Sequence, residues 1–162
     1  MAVLKIRTVP DPVLRRKAKR IGALDPKIQK LIDDMLETTP AASGVGLAAP
    51  QVGVSLRLVV IAIPGEEPLV LINPEVVKKA GEREVDEGCL SVPGYRGKVK
   101  RSQAVTVKAR DRGWKERRIK GAELLGQVLE HEIEHLDGVL YIDHIEDPAD
   151  LYSTEPEEDQ GL

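Results

Sequence analysis

Two histidines, His131 and His135, lie four positions apart on a segment that also contains Glu132. On an α-helix, side chains at positions i and i+4 share one face, so both imidazoles can bind a single metal ion. Hydrolytic zinc sites use this geometry, with the glutamate after the first histidine as the general base. The pattern therefore indicates a metal-dependent hydrolase. The structural alternative is two packed core histidines beside a glutamate that reaches the surface.

The hydrophobic pattern predicts that a helix over residues 122–136 carries this motif. At about 100° per residue, apolar side chains form a wide arc that includes both histidines. A narrow polar strip lies opposite, formed by Glu123, Gln127, Glu130 and Glu134. A helix this apolar is largely buried, and Glu132 then points into the apolar arc. Because a buried carboxylate without a partner is unfavourable, a metal-bound water would account for its position.

Cys89, the only cysteine, is the candidate for a third metal ligand. Catalytic zinc sites use three protein ligands and leave one position open, and two histidines do not complete such a set. A small buried core residue and a reactive thiol are the other interpretations of Cys89. One cysteine also excludes an intramolecular disulfide.

Length and composition favour one globular domain. The chain has 162 residues, of which 41% are hydrophobic, enough for a sizeable core. Its net charge of −3 does not suggest nucleic-acid binding. The sequence has no membrane-spanning run and no signal-peptide region at the N-terminus, so we expect a cytoplasmic protein without membrane contacts. Residues 1–148 are predicted to form the domain, and residues 149–162 an acidic, disordered tail.

The other predicted elements come from local signals. Asp25 and Pro26 are typical of a helix start, and the apolar spacing that follows predicts an amphipathic helix ending near Pro40. Apolar or alternating runs predict strands at 56–63, 69–72, 76–79, 99–109, 114–120 and 139–142, and those at 99–109 and 114–120 are expected to pair as a hairpin. The glycine-rich segment 43–53 lacks the spacing and lysine of a phosphate loop, and its Gln51 is a lone amide in an apolar run.

Three segments, taken in order, resemble the signature motifs of the peptide deformylase family. They are Gly44-Val45-Gly46-Leu47-Ala48-Ala49-Pro50-Gln51, Glu87-Gly88-Cys89-Leu90-Ser91 and His131-Glu132-Ile133-Glu134-His135. Each motif is weak alone, but the ordered trio is specific. The resemblance implies an α+β fold in which antiparallel β-sheets pack around a central metal-binding helix, with one N-terminal amphipathic helix. Glu130 and Glu134 depart from the residues that the family often has there, Gln and Asp.

The resemblance also implies an activity and roles for particular residues. The activity is removal of the formyl group from formyl-methionyl nascent peptides, with release of formate. One divalent metal ion, iron(II) in the cell or else zinc, nickel or cobalt, is expected on Cys89, His131 and His135. Glu132 is expected to be the general base, with the Gln51 amide and the Leu90 backbone N–H as oxyanion donors. The peptide is expected to contact Gly44, Val45, Gly46, Gly88 and Arg96.

Partners and rival functions complete the expectations. Besides the nascent peptide, we expect transient proximity to the ribosome, no direct nucleic-acid binding and a monomeric protein. One alternative is a zinc peptidase, but Tyr141 occupies the place of a third metzincin histidine, so Glu155 or Glu157 would have to supply the ligand. A non-catalytic structural metal module is the other alternative, and it needs a fourth protein ligand. The only remaining histidine is His144.

Overall fold

The computed structural model describes residues 2–154, in which two α-helices pack with two antiparallel sheets. The helices are α1 (Pro26–Ala41) and α2 (Glu123–His135). One sheet has five strands, in the spatial order β1 (Gly46–Ala48), β2 (Leu58–Ile61), β3 (Leu69–Ala80), β6 (Ala104–Arg110) and β7 (Glu116–Ala122). The other has three strands, in the order β4 (Arg83–Cys89), β5 (Val92–Arg101) and β8 (Leu151–Ser153). The expected α+β fold with antiparallel sheets is confirmed.

Helix α1 covers one side of the five-stranded sheet. It begins at Pro26, where the Asp25 side chain accepts a hydrogen bond from the Ile28 N–H at 2.9 Å and satisfies one of the free donors of the first turn. Its side chains Ile32 and Met35 are fully buried in a core that also contains residues of β1 and β2. No helix within residues 2–154 is long and apolar enough to cross a lipid bilayer.

Helix α2 contributes to a second core on the other side of the sheet. Val128, Leu129 and Leu136 are fully buried there, among inward-facing residues of β2, β3 and β6. The helix predicted over 122–136 is therefore found at Glu123–His135. Gly138 turns the chain away with φ +76, and a β-carbon at Gly138 would lie 2.5 Å from the Arg15 carbonyl oxygen. Only glycine fits this close approach without strain.

Several of the predicted strands need correction. The short strands predicted at 69–72 and 76–79 are parts of one strand, β3. The strand predicted at 56–63 is β2, which is buried along its whole length, and the strand predicted at 114–120 is β7, which pairs with β6. The strand predicted at 99–109 is found only in part, because the chain passes at residues 102–103 from β5 in one sheet to β6 in the other. Residues 104–109 belong to β6, which pairs with β7 as the predicted hairpin. The strand predicted at 139–142 is wrong. The Asp143 carboxylate accepts from the Leu140 N–H at 3.0 Å, and Tyr141–His144 form a 3-10 helix instead.

The segment that follows residue 148 is ordered as far as Thr154, so the prediction of disorder from residue 149 is wrong for residues 149–154. Leu151–Ser153 form β8 and pair with β5. Leu151 packs beside Ile145, and the Tyr152 hydroxyl donates to Asp86 at 2.7 Å, so apolar burial and a hydrogen bond offset the ordering entropy. Residues 155–162, with most of the predicted acidic tail, lie outside the described part of the chain.

Candidate active site

Three side chains from two distant parts of the sequence meet at one buried point. Cys89 lies at the end of β4, and His131 and His135 lie on α2; their potential ligand atoms are all within 4.8 Å of one another. Cys89 Sγ is 3.4 Å from His135 Nε2, and the two imidazole rings meet edge to face with centroids 5.1 Å apart. One sulfur and two imidazole nitrogens form a ligand set of the kind found in catalytic metal sites with an open position.

The turn between β4 and β5 holds Cys89 next to Gln51. The Ser91 N–H points at Cys89 Sγ across 3.4 Å. The Gln51 amide nitrogen lies 3.7 Å from the same sulfur and donates to Ser91 Oγ at 3.2 Å. The other end of the Gln51 amide accepts from the Ala48 N–H at 2.9 Å. Gln51 is fully buried, and it is held at both ends with its N–H₂ group beside the cysteine.

A buried ion-pair network orients His131. Its Nδ1 lies 2.8 Å from Glu87 Oε1, and Arg101 donates to both oxygens of Glu87, at 2.6 and 2.8 Å. Burial raises the pKa of Glu87, but the hydrogen bonds from Arg101 and His131 outweigh it and hold this pKa at about 2. An ionised Glu87 favours a proton on Nδ1 of His131, which leaves the Nε2 lone pair available for a metal ion.

Glu132 is fully buried between α2 and β1. Within residues 2–154 neither of its oxygens has a hydrogen-bond partner. Burial is the main cause that raises the pKa of Glu132, to about 8. The glutamate fits only because β1 has a glycine there, since a β-carbon on Gly46 would lie 2.7 Å from Glu132 Oε2. A buried carboxylate with no partner marks a place where a polar group outside the chain belongs.

The electrostatics of the cluster favour a cation. Burial lowers the pKa of His131, but the negative charges of Glu132 and Cys89 and the hydrogen bond to Glu87 raise it well above its ordinary value. Burial lowers the pKa of His135 well below the usual range, which keeps this imidazole in the neutral form that binds metals. His131 Nε2 has no hydrogen-bond partner within the described residues. The donor set, its charge and its unpaired atoms fit one divalent metal ion.

Residues 3–150 match the family model described as polypeptide deformylase. The chain belongs to this family. It is 56% identical over 160 residues to a peptide deformylase of Dehalococcoides mccartyi (strain CBDB1), an alignment that covers 98% of this chain and 96% of that protein. The crystal structure of a peptide deformylase from Legionella pneumophila superposes with a TM-score of 0.88 at 49% identity and covers 92% of this chain and 89% of that one. The crystal structure of a peptide deformylase from Synechococcus elongatus in complex with actinonin also superposes with a TM-score of 0.88. It is 40% identical, and the match covers 91% of this chain and 81% of that one.

Polypeptide deformylases are metal-dependent hydrolases that remove the formyl group from formyl-methionyl nascent peptides. The chain has this activity by family, so the predicted family, enzyme class and reaction are confirmed. The family and the cluster of Cys89, His131 and His135 together indicate one metal ion. His144, the residue that a structural metal module would have needed, instead bonds Glu134 at 2.8 Å. Tyr141, at the place of a third metzincin histidine, stacks on the His131 ring with centroids 6.2 Å apart.

The remaining predicted site residues lie around the cluster or further along β5. Leu90 follows Cys89, and its side chain lies 2.8 Å from where a β-carbon on Gly44 would be. Val45 leads into β1, and its carbonyl accepts from the Ala62 N–H at 2.7 Å. Gly88 is buried at the end of β4. Arg96 is on β5, where it pairs with Asp86 at 2.7 Å, so the structure does not place it within the metal-ligand cluster.

Sequence reasoning missed the residues that support the cluster. Glu87 was visible as part of the second motif but had no predicted role, and no local signal points to Arg101. The polar strip of α2 is also less exposed than its pattern suggested. Glu130 is buried and accepts from the Ser102 N–H at 2.7 Å, while Glu134 accepts from Arg101 at 2.7 Å. The two departures from the family pattern are therefore hydrogen-bonded supports behind the site.

Proposed function

We propose that Cys89, His131 and His135 hold the metal ion of this deformylase. The observation that carries the proposal is the buried sulfur and two imidazoles with ligand atoms within 4.8 Å, next to a glutamate whose oxygens are unpaired within the described residues. When bound, such an ion polarises the formyl oxygen and lowers the pKa of its water, so that a nucleophile is available near neutral pH. His131 is kept in the correct orientation by Glu87.

Glu132 is the general acid–base group of this proposal. Its carboxylate takes a proton from the attacking water and later gives that proton to the nitrogen of the leaving amine. Burial supports this role because a carboxyl group whose pKa is raised to about 8 can both accept and release a proton near neutral pH. The absence of hydrogen bonds to Glu132 from the described residues leaves both oxygens available for the reacting groups.

Gln51 and Leu90 would stabilise the negative charge that develops on the formyl oxygen. Donors that are already in place before the reaction are the most effective for this purpose. The Gln51 amide nitrogen meets this condition because the Ala48 N–H fixes its other end. The Leu90 N–H belongs to the same turn as Cys89, which brings a backbone donor beside the metal ligands.

The peptide substrate would bind along β1. This strand is at the edge of the five-stranded sheet, so its free side can pair with an extended peptide as an added strand. Gly44, Val45 and Gly46 would line the peptide backbone, Gly88 would leave room beside Cys89, and an apolar pocket would take the methionine side chain. Arg96, on β5, would contact the peptide beyond the methionine.

The metal and the cellular setting complete the proposal. Iron(II) is proposed as the metal in the cell, with zinc, nickel or cobalt able to replace it, because the sulfur and imidazole ligands suit all of them. The enzyme would act as a cytoplasmic monomer in transient proximity to the ribosome, where its substrates emerge. Residues 1–148 would form its catalytic domain together with β8.

The direct test is formate release from a formyl-Met tripeptide by anaerobically purified protein, with metal content measured on the same sample. The controls for peptidase activity are the unformylated tripeptide and a longer peptide whose internal bonds a peptidase could cleave. We expect one formate per amine formed, no internal cleavage and one metal ion per chain. Internal cleavage without formate release would contradict the proposal.

A further inference from the structure

The outer face of the β3–β6–β7 part of the five-stranded sheet carries a row of positive charges. Along β6, Val105, Val107 and Ala109 point into the core, so Thr106 and Lys108 point outward. The register places Lys120 and Lys78 on either side of Thr106, and Arg118 and Glu75 on either side of Lys108. We call Lys78, Lys108, Arg118 and Lys120 the basic face.

Most charges of the basic face have no acidic partner. Lys78, Arg118 and Lys120 are exposed and make no ion pair with any residue in 2–154. Lys108 pairs with Glu116 at a loose 3.4 Å. Arg118 lies opposite Lys108 on the neighbouring strand and two positions from Lys120 on its own strand, so these like charges repel one another. Such an arrangement is unfavourable for the isolated fold and becomes favourable when an anion lies over it.

Further cations, with two carboxylates among them, lie at one end of the sheet. A small cavity of about 190 Å³ there is lined by Arg20, Lys108 and Arg110, together with the carboxylates of Glu75 and Glu116. Arg20 ends the basic run 15–20, whose exposed members Arg16, Lys17, Lys19 and Arg20 make no ion pair with the described residues. Arg20, the last residue of the basic run, therefore lies near Lys108 of the basic face, although the two are far apart in sequence.

A larger groove opens where β3 and the β6–β7 hairpin separate. Its volume of about 580 Å³ is within the range of about 300–1,000 Å³ found for small-molecule sites. Leu69, Val70 and Ile119 supply an apolar lining. Four arginines surround it: Arg110, Arg112, Arg117 and Arg118. Three of these are held by the protein itself, since Arg110 lies over the Trp114 ring at 4.9 Å, Arg112 pairs with Asp33 and Arg117 with Asp111.

We propose that the basic face and this groove bind RNA, with phosphates along the face and an unstacked base in the groove. An apolar groove bounded by fixed guanidinium groups suits a base, which stacks on arginine planes as well as on aromatic rings. Lysines and arginines along a flat strand face suit the sequence-independent contacts to the phosphates. The core of a protein–protein interface is apolar, whereas the basic face has charged side chains at its centre. This disfavours an acidic protein as the partner.

The net charge of the whole chain gives no indication of this basic surface. The net charge is −3, but residues 155–162 contribute four acidic residues and no basic one, so residues 1–154 carry a net charge of +1. The expectation that the chain does not bind nucleic acids came from the net charge and from interpreting the basic run 15–20 as a solvated face. A local field depends on where the charges lie, and here four cations lie close together on the outer face of one sheet.

The test is binding of the full-length, metal-loaded protein to a fluorescent single-stranded RNA 12-mer, measured by anisotropy at several salt concentrations. The test variant is Arg118→Glu/Lys120→Glu. Its matched control is Lys98→Glu/Lys100→Glu, which makes the same charge change at alternate exposed positions of β5 in the other sheet. Deformylation of a free formyl-Met tripeptide, whose site is elsewhere, serves as the folding control and should be unchanged in the test variant.

We expect wild type and the control to bind RNA, and the test variant to bind at least about 10-fold more weakly. The slope of log affinity against log salt should also fall by about 1.4, since each lost phosphate contact on a single strand contributes about 0.7. Absence of binding by wild type at low salt, or equal weakening in the control, would overturn the proposal. Vesicles with anionic lipids are a separate arm, and tighter binding to them than to RNA would overturn it as well.

Discussion

Gly46 and Glu132 are in contact across the interface between β1 and α2. A β-carbon on Gly46 would lie 2.7 Å from Glu132 Oε2 and 2.9 Å from its Cγ, and 2.8 Å from Val128 Cγ1. Real β-carbons do not approach other atoms this closely, so any side chain at position 46 must displace the glutamate. The first motif therefore sets the position of the proposed general base as well as the edge proposed to bind the peptide.

Gly46→Ala should lower kcat by about 10²-fold or more, because a displacement of the order of 1 Å at a catalytic group has effects of this size. Metal content should remain near one per chain, since the atoms nearest to a β-carbon at position 46 belong to Glu132 and Val128 and not to a ligand. Gly22→Ala is the matched control, because a β-carbon at Gly22 meets nothing within 4 Å. Steady-state kinetics and elemental analysis on both variants check the prediction; an unchanged kcat in Gly46→Ala would show that Glu132 tolerates the shift.

Glu132→Gln should retain the metal and lose about 10²–10⁴-fold in kcat, the usual contribution of general acid–base catalysis. The amide keeps the shape of the side chain but cannot take the proton. Glu130→Gln, on the same helix, is the control, since a Gln at position 130 can still accept from the Ser102 N–H. Loss of metal from Glu132→Gln would contradict the assignment, because it would make Glu132 a ligand.

Gln51→Leu should lower the activity and the stability together. Loss of one oxyanion donor raises the barrier by about 2.7–4 kcal/mol, mostly through kcat. The same change removes the acceptor of the buried Ala48 N–H, which lowers the free energy of unfolding by about 1–3 kcal/mol. Kinetics and denaturant unfolding measure the two effects separately. A stability loss with normal kcat would leave Gln51 as a structural residue that only supports the loop.

The elements that were predicted well are those whose signal is local. Helix α2 and its motif follow from a period of 3.6 residues, and β2 follows from a continuous apolar run. The features that could not be predicted depend on pairing between residues far apart in the sequence. The residues around Ser102 keep an alternating pattern while the chain changes sheets, and β8 is three residues long and exists only through β5. Arg101 could not be assigned for the same reason, since its partner Glu87 is on the neighbouring strand.

The order of β8 changes what truncation should do. Deletion of residues 155–162 should leave Tm and activity unchanged, because this stretch is acidic and has few apolar residues to bury. Deletion from residue 149 should lower the stability by about 2 kcal/mol or more, because it removes the β5–β8 pairing and the packing of Leu151. Thermal unfolding of both truncations in the metal-loaded form checks this. Equal melting temperatures would show that β8 adds nothing to the stability of the domain.

Cobalt(II) substitution gives a direct test of the Cys89 ligand. A thiolate bound to cobalt(II) adds a charge-transfer absorption in the near ultraviolet, and Cys89 is the only residue of the chain that could produce it. The cobalt form of the wild type should show this band, and Cys89→Ser should lack it. Loss of an orienting partner of a ligand weakens metal binding by about 10–100-fold, so loss of a ligand itself should weaken it further.

Glu87→Gln tests the residue that orients the ligand His131 and leaves all three ligands unchanged. This variant should keep the cobalt–thiolate band at saturating metal, because Cys89 is intact, but bind the metal about 10–100-fold more weakly, since His131 loses its ionised partner. It should also unfold more easily, because Arg101 is left with one buried acidic partner fewer. Competition with a chromophoric chelator measures the affinities. A band that persists in Cys89→Ser would show that Cys89 is not a ligand. Metal affinity equal to the wild type in both variants would show that neither Cys89 nor Glu87 contributes to metal binding.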